Sequence, residues 1–157
     1  MKIVIFDLQG TLLDAREGQG RQSEDLPRLY DGVDELLPIL KNMGIKVAAL
    51  TTYDNSIIEH LERTGIRGYF DLIVTSDHVK KPKPHSEGID LILAHLFSKP
   101  EDTVVVGDRT ADIMAGRNAG VHKTVGVSHG YSRAEDLQAS GADYIIHDIP
   151  SLLDVLE

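Results

Sequence analysis

Four groups of polar residues in this chain each follow a short apolar run. Asp7 follows Ile3-Val4-Ile5-Phe6 and leads into Leu8-Gln9-Gly10-Thr11. Thr51 and Thr52 follow Val47-Ala48-Ala49-Leu50. Lys80, Lys81 and Lys83 come after Leu72-Ile73-Val74, within and beside Lys81-Pro82-Lys83-Pro84. Asp108 closes the run that ends at Gly107, and Asp112 lies four residues further on. Singly, each group has an ordinary reading: an Asp or a Gly-Asp after a strand caps a helix or makes a turn, a Thr pair ends a strand, and a Lys-Pro loop is a solvated turn. Together, at successive strand ends, they form a reactive set. An aspartate is ionised at neutral pH, its reference pKa being about 3.9, so Asp7 is available as a carboxylate nucleophile. Carboxylates converging on one point repel each other and any incoming anion. Mg²⁺, which takes carboxylate, carbonyl and water oxygens in an octahedron, resolves that repulsion. Lys81 is the expected cation for phosphoryl oxygens, Thr51 a hydrogen-bond donor to them, and Gly10 a place for close backbone approach. These are the parts needed to transfer a phosphoryl group to an aspartate.

The elements that must position them alternate in type. Strands are expected over residues 2–6, 45–50, Leu72–Val74, 103–106, 124–127 and Tyr144–Ile146. Helical spacing joins Val33, Leu36, Leu37 and Leu40, then Ile57, Ile58 and Leu61, then Ile89, Ile92, Leu93 and Leu96. Further helices are expected over 112–118 and Ala134–Ala139, ending near Gly120 and Gly141. This order predicts an α/β domain: a Rossmann-like, doubly wound, mostly parallel sheet with helices on both faces. Near-continuous apolar strands agree, since such strands are buried on both sides. In a sheet of this kind ligands bind beyond the carboxyl ends of the strands, where the four polar groups fall. Residues 13–29, with Gly18, Gly20, Pro27 and many charges, keep no period and read as a loop or flap.

Composition bounds the rest. A chain of 157 residues fits a single domain over 1–157, and 41% hydrophobic with 26% charged residues is ordinary for a soluble globular protein. With no cysteine, disulfide and thiolate chemistry are excluded. The apolar run before Asp7 is too short for a signal peptide and no stretch could span a bilayer, so a cytoplasmic protein is expected. A net charge of −9 argues against nucleic-acid or membrane partners. The seven histidines show no ligand spacing; His78 and His85 flank the lysine loop.

The four groups resemble the signature of the haloacid dehalogenase superfamily, mostly Mg²⁺-dependent phosphatases. Asp7-Leu8-Gln9-Gly10-Thr11 is similar to its first motif, usually Asp-x-Asp-Gly-Thr, and Thr51 to its second. Lys81-Pro82-Lys83-Pro84 resembles its third, and Gly107-Asp108-Arg109-Thr110-Ala111-Asp112 its fourth. The resemblance implies that Asp7 forms an aspartyl-phosphate. It also implies that Asp7, Asp108 and the backbone carbonyl of Gln9 surround Mg²⁺, with Asp112 assisting at the metal or orienting Lys81. Gly10, Thr11, Thr51, Thr52 and Lys81 then face the phosphoryl group of a phosphorylated small molecule or of phosphate itself.

Two departures matter. Gln9 stands where family phosphatases carry the acid that protonates the leaving oxygen and then deprotonates water; an amide does neither. General acid–base catalysis contributes about 10²–10⁴-fold, so alkyl phosphates are expected to react slowly, and aryl, acyl or pyrophosphate leaving groups to suffer less. The second departure is the absence of a cap domain, with only 13–29 in its place. The site is therefore expected to be open, or covered by a second copy in a homo-oligomer. A phosphate-binding or regulatory protein with little turnover, and a dehalogenase-type hydrolase, are the alternative readings.

Overall fold

The computed structural model describes residues 2–14 and 28–156. Its centre is a six-stranded parallel sheet in the order β5-β4-β1-β6-β7-β8. The strands are β1 (Ile3–Phe6), β4 (Lys46–Leu50), β5 (Leu72–Val74), β6 (Thr103–Gly107), β7 (Lys123–Val127) and β8 (Tyr144–Ile146). Among the described residues five α-helices alternate with them: α1 (Val33–Asn42), α2 (Ile57–Arg63), α3 (Glu87–His95), α4 (Thr110–Ala119) and α5 (Ala134–Ala139). The expected α/β class and all six strands are present, with ends shifted by a residue at most.

Side-chain alternation along the strands divides the core in two. Val4, Phe6, Val47, Ala49, Val104 and Val106 face a cluster that includes Leu36, Leu37 and Leu40 of α1 and Ile57 and Leu61 of α2. Ile3, Ile5, Ala48, Leu50 and Val105 face the other way, against Ile89, Ile92 and Leu93 of α3 and Ala115 of α4. Strand β1 is buried throughout because helices cover both of its faces. The chain runs outward from β1 to β4 and β5, then returns to β6 on the other side of β1. Strand order therefore reverses at β1/β6, and a crevice opens there at the carboxyl edge.

The segment expected to be a loop or flap over 13–29 is described only at its ends, which form a short ladder. Leu13–Asp14 (β2) and Arg28–Leu29 (β3) pair antiparallel, Leu13 with Leu29 and Asp14 with Arg28. Leu13 is fully buried, so its apolar side chain ties the base of the segment to the core. Residues 15–27 lie outside the described part of the chain. Among the described residues no helix is long and apolar enough to cross a membrane.

Both edge strands are pinned by the same device. Asp71, just before β5, accepts a hydrogen bond from the Val47 amide at 2.8 Å while its own amide donates to the Val47 carbonyl at 2.7 Å. Asp143, just before β8, does the same with Thr124, at 2.8 and 2.9 Å. Each aspartate extends a short strand's ladder by one side-chain rung and fixes its register. Partial burial works to raise the Asp71 carboxyl, but hydrogen bonds from Lys41 and Val47 prevail and hold it below the usual carboxylate range. Asp71→Ala leaves the Val47 amide unpaired and is expected to cost about 2 kcal/mol in urea unfolding at pH 7. Because the native pKa is depressed, the aspartate's contribution is present above the unfolded pKa and lost as pH falls through the native one. The gap between variant and parent should therefore close in strong acid; a gap independent of pH would count against the ionised rung.

Candidate active site

Parallel pairing brings three strand ends together. Phe6 is in register with Ala49 of β4 and Val106 of β6, so the residues just beyond them, Asp7, Thr51 and Asp108, emerge side by side. The Asp7 amide donates to the Val106 carbonyl at 2.9 Å, and the Thr51 amide to Val74 of β5 at 3.0 Å, so each is held to a neighbouring strand. Asp112 arrives from the first turn of α4, where its carboxylate accepts the Arg109 amide at 3.0 Å. One carboxylate oxygen from each of Asp7, Asp108 and Asp112 lies within 4.8 Å of the others, and all three residues are buried.

Asp108 is fixed by two loops. Thr11 Oγ1 donates to Oδ1 at 3.0 Å and the Tyr131 amide to Oδ2 at 2.8 Å. Gly10 makes this approach feasible. It turns the chain at a φ of 86°, and a Cβ there would sit 2.1 Å from Asp108 Oδ2. Gly130 serves the opposite wall, where a Cβ would lie 2.3 Å from the Gly10 carbonyl and 2.5 Å from the same Oδ2. Thr11 and Gly10, expected to face substrate, thus serve the Asp108 carboxylate instead: Thr11 is fully buried, and its hydroxyl is committed to that carboxylate.

The lysine expectation needs a larger correction. Lys81 is solvent-exposed and lines a small neighbouring hollow beside Thr52 and Pro82. The ammonium in the site belongs to Lys83, whose side chain is 6% exposed. Its Nζ donates to Asp7 Oδ1 at 2.9 Å, to the Leu50 carbonyl at 3.0 Å and to Asp112 Oδ1 at 2.5 Å. Lys-Pro occurs twice in tandem, so motif spacing alone cannot choose between the two lysines. The choice comes from the Leu50 carbonyl at the end of β4, which gives the ammonium of Lys83 a third acceptor between two carboxylates.

A cavity of about 190 Å³ opens over these groups, lined by Asp7, Gln9, Thr51, Thr52, Tyr53, Lys83, Arg109, Ala111 and Asp112. Thr51 Oγ1 accepts the Tyr53 amide at 3.1 Å, which orients the hydroxyl. The expected positions Gln9, Thr51 and Thr52 all border this space. Tyr53 is held there by its carbonyl, which accepts the Ser76 amide at 2.8 Å. Sequence reasoning did not single out Arg109, Gly130 or Tyr131. Arg109 lay inside a recognised motif as a filler residue, and the 128–131 loop carries no signal until folding sets it against Asp108.

The electrostatics are those of crowded like charges. Burial pushes the Asp7 carboxyl up to about 7 against the pull of Lys83, and Asp108 adds to the rise. Burial and the charge of Asp7 push Asp112 up to about 6, with Lys83 and the Arg109 amide opposing. Burial also works against the charge on Lys83, but Asp112 and Asp7 outweigh it and hold the lysine above its ordinary range. Three carboxylates and one ammonium leave an acid excess. The donors are all hard oxygens, with no histidine in the cluster, a set that fits Mg²⁺. The Gln9 carbonyl oxygen takes none of the backbone hydrogen bonds that close the Leu8–Leu13 turn, which leaves it available as a further oxygen donor.

Comparison with known proteins bears on the family and the fold. The sequence profile described as haloacid dehalogenase-like hydrolase matches residues 16–127. The pyrophosphatase PpaX of Bacillus velezensis is 38% identical over 133 residues, 84% of this chain and 61% of its own length. The chain therefore spans about three fifths of that curated relative. Among solved structures, a predicted phosphoglycolate phosphatase from Haemophilus somnus superimposes with a TM-score of 0.88 at 20% identity, covering 100% of this chain and 98% of that one. A haloacid dehalogenase-like family hydrolase from Streptococcus pneumoniae gives a TM-score of 0.84 at 20% identity, covering 100% and 99%. These two likenesses establish the shared fold.

The raised carboxyls have a consequence for stability. In metal-free protein the native state holds protons on Asp7 and Asp112 that the unfolded chain has released, so stability falls as pH rises from about 4 to about 7. Asp7→Asn removes one of the crowded charges. In EDTA at pH 8 it is expected to be more stable than the parent by about 3 kcal/mol, with a smaller gain at pH 5. Added Mg²⁺ should raise the parent's melting temperature at pH 8 more than the variant's. An Asp7→Asn protein no more stable than the parent in EDTA at pH 8 would sink this account.

Proposed function

The chain belongs to the haloacid dehalogenase-like hydrolase family, and on that premise we propose that it is a Mg²⁺-dependent phosphohydrolase acting through a phosphoryl group on Asp7, with diphosphate as the favoured substrate type. The observation that carries this reading is Lys83 Nζ bridging Asp7 and Asp112 at the end of β1, beside an acid cluster of three carboxylates. Asp7, Asp108, Asp112 and the Gln9 carbonyl would hold the ion. Bound Mg²⁺ supplies positive charge to phosphoryl oxygens and offsets the acid excess.

The chain's own residues then have distinct tasks. Lys83 fixes Asp7 and favours its ionised form, opposing in part the burial that raises its pKa. The free Asp7 oxygen attacks phosphorus, and Thr51 donates its hydroxyl to a phosphoryl oxygen. With singly protonated diphosphate, the bridging P–O bond breaks, its electron pair stays on the bridging oxygen, and orthophosphate leaves with the proton it brought. Asp7 then carries the other phosphoryl group. Water attacks that phosphorus, the Asp7 carboxylate is released with a second orthophosphate, and the excess proton goes to solvent.

Gln9 decides which substrates suit the site. It lies in the cavity beside Asp7, where it can orient water or a phosphate oxygen but cannot give or take a proton. An alkoxide cannot leave without a proton, whereas phosphate can. The relative named pyrophosphatase agrees in substrate class. The chain is taken as a single domain whose site a second copy can cover. No nucleic-acid or membrane partner enters the reading.

The test is Mg²⁺-dependent turnover of diphosphate, p-nitrophenyl phosphate and an alkyl phosphate, with Asp7→Asn as the blank. The parent should exceed the blank on the first two. Gln9→Asp should raise alkyl-phosphate turnover by about 10²-fold or more. Parent activity no higher than Asp7→Asn on every substrate, with Gln9→Asp active, would establish a phosphate-binding protein that has lost turnover. The lysines separate in the same assay. Lys83→Met is expected to lose at least about 10²-fold in kcat/KM and Lys81→Met less than about fivefold; the reverse order would restore Lys81 to the site.

A further inference from the structure

We propose that Arg109 is the specificity-determining residue of this site, its guanidinium binding the departing phosphate of a diphosphate and so taking over the leaving-group stabilisation that Gln9 cannot provide. The inference rests on the phosphohydrolase reading and adds to it a residue and a physical basis for substrate choice.

Arg109 is placed by two anchors. Its amide donates to Asp112 Oδ2 at 3.0 Å, which ties the residue to one carboxylate of the cluster. Its Cζ lies 4.4 Å from the centroid of the Tyr131 ring, and the Tyr131 amide donates to Asp108 Oδ2 at 2.8 Å. The backbones that carry the guanidinium and its aromatic platform are thus each fastened to a different aspartate of the same cluster. Tyr131 is 75% exposed, so this is a rim arrangement with its far side open to solvent. Stacking restricts the long side chain and presents its donor fork ready-made.

Charge completes the case. All three protons of the Lys83 ammonium are used by Asp7, Asp112 and the Leu50 carbonyl, so that lysine has no donor left for a second phosphate. Among the described residues the Arg109 guanidinium has no carboxylate partner, and the residue lines the cavity together with Asp7 and Gln9. A guanidinium cannot be deprotonated in proteins, so it cannot serve as an acid for an alkoxide. It can bind phosphate oxygens through two parallel hydrogen bonds and stabilise the charge that arrives there as the bridging bond breaks. That asymmetry selects a substrate whose leaving group is itself an anion with several acceptor oxygens.

The experiment compares the full chain with Arg109→Gln, Arg109→Lys and Tyr131→Leu in Mg²⁺. The readouts are turnover of diphosphate and of acetyl phosphate, and binding of methylenediphosphonate and of inorganic phosphate by calorimetry. Acetyl phosphate also leaves without a proton but carries a single phosphoryl group. Arg109→Gln should lower kcat/KM for diphosphate about 100-fold and for acetyl phosphate less than about fivefold, and should weaken methylenediphosphonate about 100-fold while moving phosphate little. Arg109→Lys should recover part of the loss, as a point charge without the fork. Tyr131→Leu keeps the amide that holds Asp108 and should cost diphosphate about tenfold. Equal losses on both substrates, or unchanged methylenediphosphonate binding in Arg109→Gln, would overturn the assignment. Should the parent turn over neither substrate, the hydrolase reading fails while the ratio of the two binding affinities still decides the role of Arg109.

Discussion

The ammonium of Lys83 between Asp7 and Asp112 is the contact on which the rest of the site depends. Three carboxylates packed at the end of a buried strand repel one another, and removing them from water raises the cost of charging them. A single lysine with all three protons committed lowers that cost for two of the three. Asp108, the third, is held by Thr11 and by the amide of Tyr131. The remaining acid excess is what would suit the cluster to a divalent cation, and by raising the carboxyls it favours the metal-free fold least where they are most fully ionised. Function and stability are in opposition at one point in the fold, which is where active sites commonly store strain.

The architecture limits that opposition to one edge of the sheet. Parallel strands deliver Asp7, Thr51 and Asp108 side by side, while the opposite ends of the edge strands are closed by the matching aspartates, Asp71 and Asp143. Apolar layers cover both faces of β1, so the carboxylates emerge from strands packed on either side. Glycines at the places where chain segments nearly touch, Gly10 and Gly130 above all, let backbone approach to within a side chain's width of Asp108. Any added methyl group there would displace a carboxylate oxygen.

Gln9 and Arg109 are best understood as a pair. The first removes a proton donor from the cavity, and the second brings a permanent positive charge with directional donors. In the proposed mechanism they would exchange acid catalysis for anion stabilisation, which would narrow the leaving groups the site can accommodate without changing the nucleophile. Tyr131, itself largely exposed, lies beneath the Arg109 guanidinium.

The amino-acid sequence by itself determined the class of fold, the six strands and the identity of the three acids, because each depends on local pattern: apolar runs of strand length, helical spacing, and polar residues placed just beyond a strand. It also exposed the Gln9 departure, since a motif position can be read without any geometry. Four things were decided only in three dimensions. Lys83 rather than Lys81 reaches Asp7, since a repeated Lys-Pro pair has two equivalent readings until the Leu50 carbonyl supplies a third acceptor for one of them. Thr11 turns from the cavity to Asp108, and the ends of the 13–29 segment pair as a short ladder, because burial of Leu13 and Thr11 draws both inward. The loop carrying Gly130 and Tyr131 joins the site from far along the chain, through a contact with Asp108 that no local pattern encodes. Strand and helix propensities act over a few neighbouring residues, whereas the partners of a buried charge are chosen by whatever the tertiary fold brings within hydrogen-bonding distance.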